Sequence, residues 1–136
     1  MVNIKIASQS DAKSVIRLIR HGVEEGALLP REAGELRSII RKGNAVIAVD
    51  SGSPVGVGVL DFYSKRLSEL RSLYVLPEYR KNGVGGRIIK KIFERASELG
   101  VRELMTITMR ENKIWFMKRG FEEEAHGFKI ALFREL

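Results

Sequence analysis

The stretch from Leu73 to Arg87 constrains this chain more than any other. An apolar run ends at Pro77, which cannot continue a strand ladder, and Gly83, Gly85 and Gly86 follow within ten residues. Ile88, Ile89, Ile92, Phe93, Ala96 and Leu99 then recur at helical spacing, with Arg87, Lys90, Lys91 and Glu94 on the wet side. A strand, a glycine turn and an amphipathic helix in that order make a crossover unit. The helix stripe must be buried against a sheet, so the chain has to build a layered α/β domain.

The rest of the chain supplies that sheet. Val2 to Ala7 reads as a first strand. Ser10 suits the N-cap of a helix carrying Ala12, Val15, Ile16 and Ile19, ended by Gly22 or Gly26. Pro30 opens a second helix with Ala33, Leu36, Ile39 and Ile40 on one face, stopped at Gly43-Asn44. Ala45 to Val49 is a buried strand, Asp50 to Ser53 a turn, and Val55 to Phe62 the return strand of a hairpin. Leu67 to Val75 leads into the glycine turn, and the long helix runs from Val84 to Leu99, with Gly100 just past its end. Leu104 to Met109 reads as a strand and Ile114 to Lys118 as a short helix. Gly120-Phe121 begins another strand, and Phe128 to Phe133 finishes the sheet. The order predicts one domain, 1–136, of the α/β (α+β) class. Its sheet is mixed and mostly antiparallel, with six to seven strands, helices on both faces and one right-handed crossover.

Composition removes several functions. The chain has no cysteine, which excludes disulfides, thiolate nucleophiles and Cys-based metal sites. His21 and His126 are far apart without ligand spacing, so no metal is expected. No apolar run approaches the ~20 residues of a membrane span. The N-terminus alternates apolar and polar residues and lacks the basic-then-apolar order of an export signal. A cytoplasmic protein without a membrane partner is the expectation. The net charge of +7 attracts polyanions such as nucleic acid, an acidic partner or a phosphorylated cofactor. The basic residues are spread along the chain without an aromatic-rich RNA motif or a helix-turn-helix signature, so nucleic acid is not the expected partner.

Free amides at the start of a helix, with the helix dipole behind them, favour a bound anion. Glycines there let a ligand approach the backbone. Arg80, Lys81 and Arg87 add positive charge. A bare structural connection would also use glycine, and the Gly-Val-Gly pair alone does not separate the two readings. A Walker-type loop is ruled out, because no Gly-Lys-Ser/Thr follows. The dinucleotide fingerprint fits poorly, because the spacing is Gly-x-Gly-Gly.

The whole segment, Val75-Leu76-Pro77 followed by Arg80-Lys81-Asn82-Gly83-Val84-Gly85, resembles the cofactor motif of the GNAT N-acetyltransferase superfamily. Lys118-Arg119-Gly120-Phe121 is similar to the family's usual ending of its last helix. The resemblance covers nearly the full chain. It implies an enzyme that transfers acetyl from acetyl-CoA to a primary amine. The amides of Lys81, Asn82, Gly83, Val84, Gly85 and Gly86, beside Arg80, would bind the pyrophosphate. The strand residues Leu73, Tyr74 and Val75 would run along the pantetheine arm. The Leu73 amide would polarise the thioester carbonyl, and Asn112 would touch the cofactor near the start of the last helix. Several members carry a glutamate eleven positions before the motif's first residue, which maps to Glu69 as a candidate general base. Many use a tyrosine four residues before the last helix's final glycine as general acid. Here that position is Phe116, so the usual acid is missing.

Gly26 to Arg31, Glu69 to Leu73 and Trp115 to Phe121 are further similar to short amino-acid N-acetyltransferases that acetylate glutamate in arginine synthesis. That likeness implies a small amino-acid acceptor, with Leu29, Arg31 and Arg71 as candidate acceptor contacts and Lys113 as another cation. A protein or peptide amine, or a non-catalytic acetyl-CoA-binding module, are the alternatives. Family members are often dimers, which makes a homodimer the assembly the resemblance implies.

Overall fold

The structure is a computed structural model that describes residues 1–64, 66–123 and 134. In chain order it contains β1 (Val2–Ile6), α1 (Ala12–Glu24), α2 (Ala33–Arg41), β2 (Ala45–Asp50), β3 (Ser53–Phe62) and β4 (Leu67–Val75). α3 (Val84–Glu98), β5 (Glu103–Met105) and α4 (Lys113–Met117) follow. The sheet order is β1-β2-β3-β4-β5, antiparallel from β1 to β4, with β5 parallel to β4 across the α3 crossover. Among the described residues the sheet therefore has five strands, where six to seven were expected. Phe121 is in irregular chain, and the strand assigned to Phe128–Phe133 lies outside the described residues. No helix among the described residues is long and apolar enough to cross a membrane.

Side-chain alternation sends the sheet's apolar residues to two cores. On one face Ala45, Ile47, Val57, Val59 and Tyr74 pack with Val15, Leu18 and Ile19 of α1 and with Leu36 and Ile40 of α2. On the other, Val46, Ala48, Leu60 and Leu70 pack with Val84, Ile88, Ile89 and Ile92 of α3. Full burial of a side chain such as Ile88 contributes about 1.5–3 kcal/mol. Glycine in a helix costs about 0.5–1 kcal/mol relative to alanine, and α3 opens with Gly85 and Gly86. Packing thus holds α3, and its glycine-bearing first turn is tolerated for another reason.

Helix ends differ from expectation in ways that have local causes. α1 runs through Gly22, which is buried inside it, and ends two residues later. Gly26, at φ +82°, takes the left-handed position past the end. Ala27 N–H then donates to the Gly22 carbonyl and Gly26 N–H to that of Val23, the paired bonds that close a helix C-terminus. At the other end Ser8 and Asp11 do the capping assigned to Ser10: Ser8 N–H donates to Asp11 Oδ2 at 2.9 Å. Pro30 does not open α2, which starts at Ala33. The intervening Arg31 is instead held in an extended segment by contacts across the fold.

A bulge in β4 organises everything that follows. Val57 faces Tyr74, but Val59 faces Arg71, so β4 carries one extra residue there. Ser72 takes it up at φ +55°. Side-chain facing reverses across the insertion. Leu70 packs toward α3 before it, whereas Leu73 and Val75 pack toward α3 after it.

Candidate active site

The turn before α3 leaves a set of donors open. Tyr79 N–H bonds the Leu76 carbonyl, Arg80 N–H that of Pro77, and Arg87 N–H that of Gly83. Between them, no backbone carbonyl among the described residues accepts from the amides of Lys81 to Gly86. Lys81 at φ +67° and Gly83 at φ +80° bend the chain so that this run precedes and enters the helix start. A left-handed conformation costs a non-glycine residue about 1–2 kcal/mol. The strain at Lys81 is therefore stored locally, as at many ligand-binding turns. Six open amides at the positive end of α3 are the arrangement that favours an anion.

Different glycines serve this turn for different reasons. Nothing lies within 4 Å of a Cβ placed on Gly83, so its glycine is required by φ alone. A Cβ on Gly85 would lie 3.1 Å from Trp115 Cζ2, because α4 is seated on the first turn of α3. Arg119 covers the Trp115 ring at 3.7 Å and donates to the Trp115 carbonyl at 2.8 Å.

Arg80 and Tyr74 point away from the open amides. The Arg80 guanidinium binds both Glu25 oxygens, at 2.9 and 2.7 Å, and its Nε donates to the Val75 carbonyl at 2.9 Å. Tyr74 Oη donates to Glu25 at 3.0 Å beneath it. The hydrogen bond from Arg80 is the main reason the Glu25 carboxyl is held below its usual range, with Tyr74 adding to it. Burial first, and the Glu25 contact second, push the Tyr74 hydroxyl up. Arg80 therefore ties the turn and the end of β4 to the end of α1. Arg87 is likewise occupied, donating to the Val2 carbonyl at 2.9 Å. The extra charge expected of these two residues is matched by Glu25 and by a carbonyl.

A gap opens beside β4. β5 pairs with it only from Leu67–Glu103 to Glu69–Met105. One further link, from Thr106 Oγ1 to the Leu70 carbonyl at 3.1 Å, marks the parting. The expected strand Leu104–Met109 is cut short here, and among the described residues β4 runs on past Leu73 to Val75 paired with β3 but not with β5. That gap leads from the bulge to the open amides.

On the α1 side of the bulge lies a charged cluster. Arg31 is 2% exposed at its side chain. It donates to Asp61 at 2.8 Å and to Glu35 at 2.6 Å, and its Nη1 is 3.4 Å from Ser72 Oγ. Burial works against its charge, but the bonds to Asp61 and Glu35 outweigh it and raise its pKa. Arg71 approaches Asp61 more loosely, at 3.7 Å, with its side chain one-third exposed. Glu69 faces Asp61 across the strands and is only 5% exposed. It accepts a hydrogen bond from Tyr63 Oη. The Glu69 carboxylate is the chief reason the Tyr63 hydroxyl is pushed up.

The structure thus gathers Glu69, Arg71, Leu73, Tyr74, Val75, Arg31 and the 80–86 turn along one strand and its exit. Leu29 is exposed, and Asn112 is exposed just ahead of α4, its amide donating to Thr108 Oγ1 at 3.1 Å. Phe116 is buried between Trp115 and Phe121, with edge-on ring contacts at 4.9 and 5.4 Å, in the α3-side core. Asp61, Tyr63 and Glu25 were not singled out by sequence. Each meets its partner across the fold, and no local motif marks them. Among the described residues no group of three or more His, Asp or Glu side chains converges as a metal site would.

Comparison with known proteins agrees with this geometry. The Acetyltransferase (GNAT) family matches residues 17–121. An uncharacterised N-acetyltransferase of Chlorobaculum tepidum is 31% identical over 97% of this chain and 83% of its own length. The amino-acid acetyltransferase of Aeromonas salmonicida is 32% identical over 87% of this chain, which spans 26% of that protein's length. N-acetylglutamate synthase from Neisseria gonorrhoeae, solved with coenzyme A and N-acetyl-glutamate, superposes with a TM-score of 0.78 at 28% identity. That match covers 90% of this chain and 28% of the other. The chain belongs to the GNAT acetyltransferase family and is an acetyl-CoA-dependent N-acetyltransferase.

Proposed function

We propose that the protein acetylates the amine of a small amino-acid-like acceptor by direct attack on the acetyl-CoA thioester. In this reading the amides of Lys81 to Gly86 bind the pyrophosphate. The pantetheine arm follows β4 through the gap beside Leu73 and Val75, with Asn112 at its far side. The thioester carbonyl meets the Leu73 amide, where negative charge develops. Glu69 accepts the proton that the acceptor must lose to become a nucleophile. A bond forms from nitrogen to the acetyl carbon, the carbon–sulfur bond breaks with its electron pair on sulfur, and the surplus proton of the new amide nitrogen passes through water to the thiolate. A thiol pKa of about 8.5 makes that thiolate a fair leaving group without help from position 116.

One observation carries the small acceptor: buried Arg31 pins the segment ahead of α2 onto the bulge, beside Glu69 and Arg71. That segment, with Leu29 at its exposed tip, narrows the approach to Glu69. Arg71, loosely paired, is left as the cation for an acceptor carboxylate. Arg31 is committed to Asp61 and Glu35, so its role is to hold this wall. Likeness to amino-acid acetyltransferases supports the same acceptor class, although the chain spans about a quarter of their length. A protein or peptide acceptor is the competing reading.

Free-thiol release measured across amino acids, polyamines and peptides tests the choice. Small amino acids, acidic ones foremost, are expected to give the highest kcat/KM. Faster release with peptides or polyamines would overturn the acceptor class. Acetyl-CoA is expected to raise Tm, since a ligand at 100 times its Kd stabilises the folded state by ~2.7 kcal/mol. An unmoved Tm at millimolar acetyl-CoA counts against the binding site itself.

A further inference from the structure

Acyl transfer leaves the contact between Glu69 and Tyr63 unused. Tyr63 lies just past the end of β3, and its N–H donates to the Leu67 carbonyl at 3.1 Å, which closes the hairpin into β4. That closure brings its hydroxyl onto Glu69 Oε1. The two side chains differ sharply in exposure: Glu69 is 5% exposed and Tyr63 57%. The phenol therefore joins a buried carboxylate to solvent.

Charges around Glu69 do not replace this contact. Asp61 faces it from β3, but Asp61 is matched by Arg31, which also binds Glu35 of α2, and by Arg71 on β4. Met105, its register partner on β5, carries no charge. Burial disfavours an ionised carboxylate, whereas a donor hydrogen bond favours it.

We infer that Tyr63 is a positioning residue for Glu69, holding the buried carboxylate in orientation and giving its proton a way out to water. The inference rests on Glu69 being the base. The proton balance closes. The acceptor ammonium gives one proton to Glu69. The resulting carboxyl donates to the Tyr63 oxygen as the phenol's own proton passes to water. Phenol and carboxylate are restored, and one proton has moved from nitrogen to solvent.

The test compares wild type, Tyr63→Phe and Glu69→Gln by two readouts. Carbon-13 NMR of glutamate-labelled protein follows the Glu69 carboxyl through a pH titration, its resonance assigned by its loss in Glu69→Gln. The pH profile of kcat/KM uses acetyl-CoA and the best acceptor from the thiol-release assay. Tyr63→Phe is expected to shift the Glu69 carboxyl resonance, because its donor is lost, and to lower kcat/KM on the plateau about tenfold, because the carboxylate is no longer held in orientation or relieved of its proton. Tyr63 is more than half exposed, so the variant should fold, and unchanged acetyl-CoA affinity checks that it has. A plateau rate equal to wild type in Tyr63→Phe overturns the inference while leaving Glu69 as the base. An acidic limb retained in Glu69→Gln removes Glu69 as the base. The proposed role of Tyr63 in turnover falls with it.

Discussion

Replacing Glu69 with Gln is expected to lower turnover by about a hundredfold or more, with acetyl-CoA affinity unchanged. A positioned general base contributes about 10²–10⁴ in rate. Gln keeps the shape and the oxygen that accepts from Tyr63, but its amide cannot take a proton. The substitution therefore removes the chemistry while preserving the buried contact to Tyr63. In the proposed mode acetyl-CoA binds along β4 beyond the bulge and at the turn, so a calorimetric Kd should not move. A rate within a few-fold of wild type would show that the acceptor loses its proton elsewhere, with Glu69 serving as the buried partner of Tyr63.

The second large effect is expected at Gly83. Gly83→Val places a β-branched residue at φ +80°, which costs more than the ~1–2 kcal/mol of an ordinary left-handed residue. No atom crowds the new Cβ, so the penalty falls on the turn's conformation and not on the core. The chain can relieve it only by rotating peptides in the run of open amides. Acetyl-CoA affinity should fall at least about tenfold, a loss of ~1.4 kcal/mol in binding, with a modest drop in Tm. Gly85→Val is the control, because its side chain meets Trp115 and should lower Tm as well as affinity. Unchanged affinity in Gly83→Val would mean that the turn is a connection and not a binding site.

Legibility differed along the chain for identifiable reasons. The glycine turn, the apolar stripe of α3 and the β2–β3 hairpin could be read directly, because each is a local pattern with a local cause. Glu69 could be named but not oriented. Leu73 lies beyond the bulge at Ser72 and so does not share a face with Leu67, Glu69 and Arg71, and no glycine marks that left-handed residue. The stretch Leu104 to Met109 keeps a strand's alternation, yet the ladder stops at Met105, since pairing needs a neighbour and β4 has turned away. Pro30 looked like a helix start, but Arg31's bonds to Asp61 and Ser72, thirty and forty-one residues away, hold that segment extended.

By itself, the amino-acid order determined the α3 stripe, the β2–β3 hairpin and where open amides gather, since propensity, period and backbone geometry act within a few residues. Tertiary structure alone decided that Arg80 faces Glu25, that Arg31 is paired with Asp61 and Glu35, and that Tyr63 meets Glu69. Those outcomes depend on register and on one inserted residue in β4, and a one-residue shift in a pleated strand reverses every side chain beyond it.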